Sequence, residues 1–263
     1  MITTPLLSIL KARAKQKYRT LQYPKGNPPP LSDRFLGKPL IASTPCPMDC
    51  LLCVSSCPIG AIQKKEFLHL DMGRCLFCGA CVEACPNGTI RFSKDFQLAT
   101  RDRESLVIRQ REGSETLDKS IVGSTLWTNI SRKFRRSFRL RQVSAGGCNA
   151  CEADCNVLST IAWDMGRFGI QFVASPRHAD GILVTGPVTE NMKVALEKTY
   201  QAVPSPKVVI AVGSCAISGG PYKDHPEQKN GVSSLIPVDL FIPGCPPHPL
   251  TILEGLLRFL DRI

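Results

Sequence analysis

No apolar run in this 263-residue chain is long enough to cross a bilayer as a helix: the longest uncharged stretch, residues 208–222, is broken by three glycines and a proline. No secretory signal is legible either. The N-terminus "MITTPLLSILKARAKQKYR" places its basic residues after the short apolar run, and no small-residue cleavage site follows. The expectation is a cytoplasmic chain, in which thirteen cysteines do not make a disulfide framework. Aromatic residues are scarce, at 6%, and no nucleic-acid recognition fold is legible, which weighs against a nucleic-acid-binding role for the basic "SRKFRRSFRLRQ" of residues 131–142. The four histidines, His69, His178, His225 and His248, are scattered, and no general base or nucleophile stands out.

What is abundant is positive charge and thiol. The net charge of +11 divides as +7 over residues 1–45, zero over 46–100, +6 over 101–142 and −2 over 143–263. The excess therefore lies outside both cysteine-rich regions, in an N-terminal arm and a basic linker that suit an acidic partner or an anionic surface.

The stretch "CPMDCLLCVSSCP" carries Cys46, Cys50, Cys53 and Cys57, and "CLFCGACVEACP" carries Cys75, Cys78, Cys81 and Cys85. An offset of 28 superposes the last three cysteines of each, and "CPIGAI" on "CPNGTI", so the region is a duplication of one small unit. The second copy reads C-x2-C-x2-C-x3-C-P, the bacterial ferredoxin spacing in which three thiolates hold one [4Fe–4S] cluster and the fourth ligates the other. By that rule Cys57, Cys75, Cys78 and Cys81 form one ligand set, and Cys46, Cys50, Cys53 and Cys85 the other. The first copy departs by one residue, with three between Cys46 and Cys50, so its loop must bulge. Zinc sites pair separate knuckles of four ligands each, which crossed sets ending in Cys-Pro do not resemble.

Beyond residue 143 the texture changes. Apolar runs at 169–174, 181–186, 207–213 and 238–244 read as strands, and 151–166, 188–202 and 249–262 as helices. Alternation of the two predicts a parallel α/β sheet covered on both faces. Cys148 and Cys151 follow a short extended "RQV" (141–143), Cys215 follows the strand at 207–213, and Cys245 follows the strand at 238–244. The C-terminal edge of such a sheet is where ligands bind, so these four thiols are the expected set for a third [4Fe–4S] cluster. Cys155 lies one helical turn beyond Cys151 and reads as a buried thiol. The histidines read as structural or solvated, with tuning of the Cys245 site by His248 and bordering of it by His178 as the rival reading; Glu152 and Asp154 read as solvated helix residues.

The segments "GGCNACEAD", "SPRHADGILVTGPVTENM", "AVGSCAISGG" and "PGCPPHPLTILEGL" resemble the small subunit of group 4 membrane-bound [NiFe] hydrogenases, the formate hydrogenlyase and energy-converting type, and the related 20 kDa subunit of respiratory complex I. Residues 1–100 resemble the ferredoxin-like partner subunit, so the chain looks like a fusion of the two. The C-x2-C pair of Cys148 and Cys151 is similar to the hydrogenases, where complex I has adjacent cysteines. The resemblance implies an N-terminal docking arm (1–45), an α+β ferredoxin-like domain with two clusters (46–100), a basic linker (101–142) and an α/β flavodoxin-like domain with the third cluster (143–263). It implies an electron relay with no active site of its own. Its partners would be a NiFe large subunit, membrane subunits, and a donor or acceptor protein at the ferredoxin domain. Its place would be the cytoplasmic face of the membrane, peripherally. A quinone-reducing, complex I-like module is the rival reading.

Overall fold

The computed structural model describes residues 4–43, 46, 47, 49–110, 134 and 136–263. The middle of the basic linker, 111–133, and most of its "SRKF" lie outside the described residues.

The duplication is visible in the backbone. Helix α1 (Thr4–Gln16) and strand β1 (Pro39–Ile41) precede it; then α2 (Leu52–Ser55) and β2 (Ile62–Lys64) recur as α3 (Ala80–Glu83) and β4 (Ile90–Phe92), each displaced by 28 positions. Gly60 and Gly88 hold equivalent turns at φ +58° and +60°. Strand β3 (Leu68–Asp71) pairs antiparallel with β2 and with β5 (Val107–Arg109), and β4 pairs antiparallel with β1. The first stretch of the linker is thus built into this unit through β5, and Arg103 closes it with a two-pronged ion pair to Asp71 at 2.9 and 2.6 Å.

The second unit is a five-stranded parallel sheet. Its strands are β6 (Phe138–Ser144), β7 (Ile170–Phe172), β8 (Gly181–Thr185), β9 (Val208–Val212) and β10 (Leu240–Ile242), in the spatial order β10-β9-β8-β6-β7. Counted within the sheet this is 2-1-3-4-5, the flavodoxin-like doubly wound order. The continuous apolar runs "GILVT" and "VVIAV" are buried at every position because both faces are covered. Leu183, Ile210, Val212 and Ile242 face α7 (Pro249–Phe259), and Ile182, Val184, Val209 and Phe241 face the cysteine-rich unit and α5 (Glu190–Ala202). Thr100 and Phe241 exchange backbone hydrogen bonds, and the Ser218 hydroxyl donates to the Gly73 carbonyl at 2.9 Å, so the two units share one core.

Three expectations change. The short "RQV" strand is seven residues long as β6. The helix expected over 151–166 ends early, as α4 (Ala150–Val157), because Ser159 and Thr160 turn the chain and Asp164 adopts φ +44°. The N-terminal arm, expected as a docking element over residues 1–45, lies against this chain's own body from residue 21 onward. Leu21 N–H donates to Ala162 O, Arg167 donates to Tyr23 O at 2.8 Å, Tyr23 is buried against Phe96, and Gly37 N–H donates to Ser93 O. Prolines remove donors without preventing such packing, since apolar Leu31 and Phe35 reach the core. Along α1 the described side chains are all exposed.

Helix α7 is buried nearly all round and carries Glu254, whose side chain is 0% exposed. Arg258 pairs with one carboxylate oxygen; Oε2 has no hydrogen-bond partner. Burial outweighs the arginine and pushes Glu254 up to about 7. A raised carboxyl favours the folded state below its unfolded value near 4.5, and that contribution is lost as pH rises through 7. Glu254→Gln removes the cost of charging. Thermal melts are expected to show the variant more stable by about 3 kcal/mol near pH 8, with the gap closing toward about pH 5. Equal or lower melting of the variant near pH 8 contradicts this.

Candidate iron–sulfur sites

The first set gathers around Cys53, which opens on α2 and is buried. Burial raises its pKa, and the nearby Cys46, Cys85 and Cys50 thiols add to the rise. Cys46 Sγ lies 3.2 Å from Thr89 Oγ1, and the Thr89 N–H donates to Cys85 Sγ at 3.3 Å. Burial opposes ionisation of Cys85, yet the hydrogen bonds from Thr89, Asn87 and Ile90 bring its pKa below the usual thiol value.

Cys57, Cys75, Cys78 and Cys81 line one pocket of about 330 Å3, part of it open to solvent, whose wall includes Ile59, Leu70 and Phe92. Burial pushes Cys75 up to about 12 and Cys81 up to about 11, and the neighbouring thiols of the set add to both. Ala61 N–H donates to Cys57 Sγ at 3.2 Å, the repeat-mate of the Thr89 to Cys85 bond.

The third set sits on the C-terminal edge of the parallel sheet. Cys148 and Cys151 follow β6, the strand where the order reverses; Cys215 lies in α6 (Ser214–Ser218) after β9, and Cys245 follows β10. Burial lifts Cys151 well above the ordinary thiol range and Cys215 to about 12, and Cys245 acts on both. The backbone leaves the sulfurs room. A Cβ on Gly213, which sits at φ +90°, would stand 2.5 Å from Cys151 Sγ, and one on Gly220 2.7 Å from Cys215 Sγ. A ring of thiols with glycine at its walls fits a bulky polynuclear group. Among the described residues no three His, Cys, Asp or Glu side chains converge as a single metal ion needs.

Beyond burial, Cys53 adds to the raised pKa of Cys81, and Cys78 to that of Cys245. The set containing Cys57, Cys75, Cys78 and Cys81 thus has a thiol within electrostatic reach of each of the other two.

Of the other residues singled out, Cys155 falls as expected and Glu152 falls differently. Cys155 is fully buried in the core between α4 and the sheet. Glu152, expected at the surface, is buried. Its Oε1 accepts from Ser144 Oγ at 2.6 Å and Thr185 Oγ1 at 2.7 Å, which satisfies that oxygen and ties α4 to β6 and β8. His248 accepts the Leu250 N–H at Nδ1 and so caps α7, its ring held by Phe35 and Trp163. His178 is exposed, His69 lies on β3, and His225 accepts the Glu227 N–H in a turn. Lys64 and Thr89 touch the first set but carried no motif signal.

Thiol sets on a duplicated loop unit and at the edge of a doubly wound sheet define an iron–sulfur protein. The profile of the 4Fe-4S binding domain matches residues 68–91, and that of the NADH ubiquinone oxidoreductase 20 kDa subunit matches residues 148–259. The chain belongs to the family of that 20 kDa subunit. It is 41% identical over 121 residues to a probable membrane-bound hydrogenase subunit, mbhJ, of Pyrococcus furiosus, covering 46% of this chain and 72% of the relative. To formate hydrogenlyase subunit 7 of Escherichia coli it is 40% identical over 148 residues, 56% of this chain and 57% of the relative. To an NADH-quinone oxidoreductase subunit of Clostridium beijerinckii it is 36% identical over 156 residues, 59% of this chain and 90% of the relative.

Proposed function

We propose that this chain is an electron-transfer subunit of a membrane-associated [NiFe] hydrogenase complex, working beside a large subunit that holds nickel and iron and interconverts protons and H2. In this reading Cys46, Cys50, Cys53 and Cys85 hold one [4Fe–4S] cluster, Cys57, Cys75, Cys78 and Cys81 a second, and Cys148, Cys151, Cys215 and Cys245 a third. When bound, such clusters accept and release single electrons. The observation that supports the reading is the grouping of twelve thiols on a duplicated unit and at the C-terminal edge of the parallel sheet, with Cys53 bearing electrostatically on Cys81 and Cys78 on Cys245. The chain's own residues hold the sets, bury their inner thiols, and supply N–H donors to the sulfurs.

The units carrying the sets are 46–100, with β5 added, and 143–263, joined by the basic linker. No residue is assigned a catalytic role. Among the described residues no helix is long and apolar enough to cross a membrane. Association is therefore proposed to be peripheral, at the cytoplasmic face, with the exposed helix α1 as the contact.

Isolation of the native complex through a tag on this chain tests the reading. The expected result is a co-purifying large subunit with nickel, and about twelve irons per copy of this chain. The relatives named as subunits of NADH-quinone oxidoreductase favour a second reading, a quinone-reducing module. A nickel-free complex that reduces quinone would establish that one instead.

A further inference from the structure

The two copies of the repeat differ where the first loop has its extra residue. In the second copy Gly79 enters α3 at φ +82°; its repeat-mate Leu51 enters α2 at φ −123°. The added residue relieves the left-handed turn, so a leucine serves where the tighter loop needs glycine. It also widens the loop and leaves carbonyls that must find donors. The Lys64 ammonium donates to two of them, Pro47 O, at short range, and Cys50 O at 3.2 Å. Position 64 is the repeat-mate of 92, and there the second copy has Phe92, which lines the second pocket and packs against Phe77 at 6.0 Å between ring centroids. At equivalent places, then, one loop is held by a cation and the other by an aromatic ring.

We infer that Lys64 is a positioning residue for the first cluster: it fixes the Cys46–Cys50 loop and sets a positive charge beside that site, where the repeat-mate position carries Phe92. The inference rests on the ligand sets proposed above. A cation near a cluster favours the reduced, more negative state, because Coulomb attraction grows with the added electron. The first site is thereby held at a higher potential than it would have without that charge.

The test is potentiometric titration of the anaerobically reconstituted full chain, followed by electron paramagnetic resonance, for wild type, Lys64→Arg, Lys64→Gln and Lys64→Met. Lys64→Arg keeps charge and donors and is expected to match wild type. Lys64→Gln keeps a donor without the charge, and is expected to retain its iron while the midpoint of the first signal shifts downward, the other two unchanged. Lys64→Met is expected to show the same shift, or loss of the first signal alone. Wild-type midpoints and signals in the Gln and Met variants overturn the inference. So does equal loss of the first signal in all three variants, which would show a packing role indifferent to charge. A wild-type chain with only about eight irons and no first signal overturns the ligand sets themselves, and the inference with them.

Discussion

Replacing Cys148, Cys151, Cys215 or Cys245 by alanine is expected to lower the iron content of the reconstituted chain from about twelve to about eight atoms and to abolish one cluster signal of three. Each of the four lies just beyond a strand at the C-terminal edge of the sheet, Cys148 and Cys245 on loops and Cys151 and Cys215 in the helices that follow, and Cys245 bears on both Cys151 and Cys215. Removing one leaves three thiols of the four that such a cluster takes. Cys155 is the control. It lies one turn along α4 from Cys151, yet its side chain is buried in the core with Leu158 and Leu183. Cys155→Ala is expected to leave all twelve irons and to cost about 1 kcal/mol of stability for the lost packing. Iron and sulfide analysis with electron paramagnetic resonance reads both results. Loss of a cluster in the Cys155 variant, or full iron in any of the other four, would show the third set to be wrongly drawn.

Removal of residues 1–16 is expected to release the protein from anionic membranes while leaving its iron and melting temperature unchanged. Helix α1 exposes Leu6, Leu7, Ile9 and Leu10, and Leu6, Leu7 and Leu10 share one side. Lys11, Arg13 and Lys15 follow, with Lys17 and Arg19 just beyond, and the helix has no acid in its first turn. An exposed apolar turn followed by a run of basic residues suits an anionic lipid surface, where each basic side chain near the headgroups is worth about 1 kcal/mol. The double variant Leu7→Glu with Leu10→Glu should behave as the deletion does. Co-sedimentation with vesicles containing phosphatidylserine, against phosphatidylcholine alone and at raised salt, makes the comparison. A truncated chain that sediments like the full one removes α1 from the membrane contact. Extending the deletion to residue 40 is a different experiment, because Tyr23, Leu31 and Phe35 belong to the packed body. Emptying those positions is expected to cost several kcal/mol, on the order of 3 for each large side chain, and to lower the melting temperature irrespective of lipid.

The repeat, the strands and the cysteines were legible in the sequence because their physics is short-ranged. The C-x2-C-x3-C-P run common to both copies dictates its own backbone, so the offset of 28 between "CPIGAI" and "CPNGTI" reappears unchanged between α2 and α3 and between β2 and β4. Strands covered on both faces must be continuously apolar, so "GILVT" and "VVIAV" announce themselves. Burial of polar groups and contacts between distant segments have no such local signature. Glu152 looks like a surface acid on a helix until Ser144 and Thr185, from two other strands, provide its donors. Lys64 is one lysine among many until the widened loop is folded beneath it. The proline-rich arm carries its few apolar side chains too far apart to show periodicity, and its course is set by where Tyr23 and Phe35 find partners on the body. Last, that Cys78 of the duplicated unit meets Cys245 of the sheet follows from packing of one unit on the other. Residues 167 positions apart are brought together by the shared core of Leu70, Ile217 and Phe241, which no window of sequence contains.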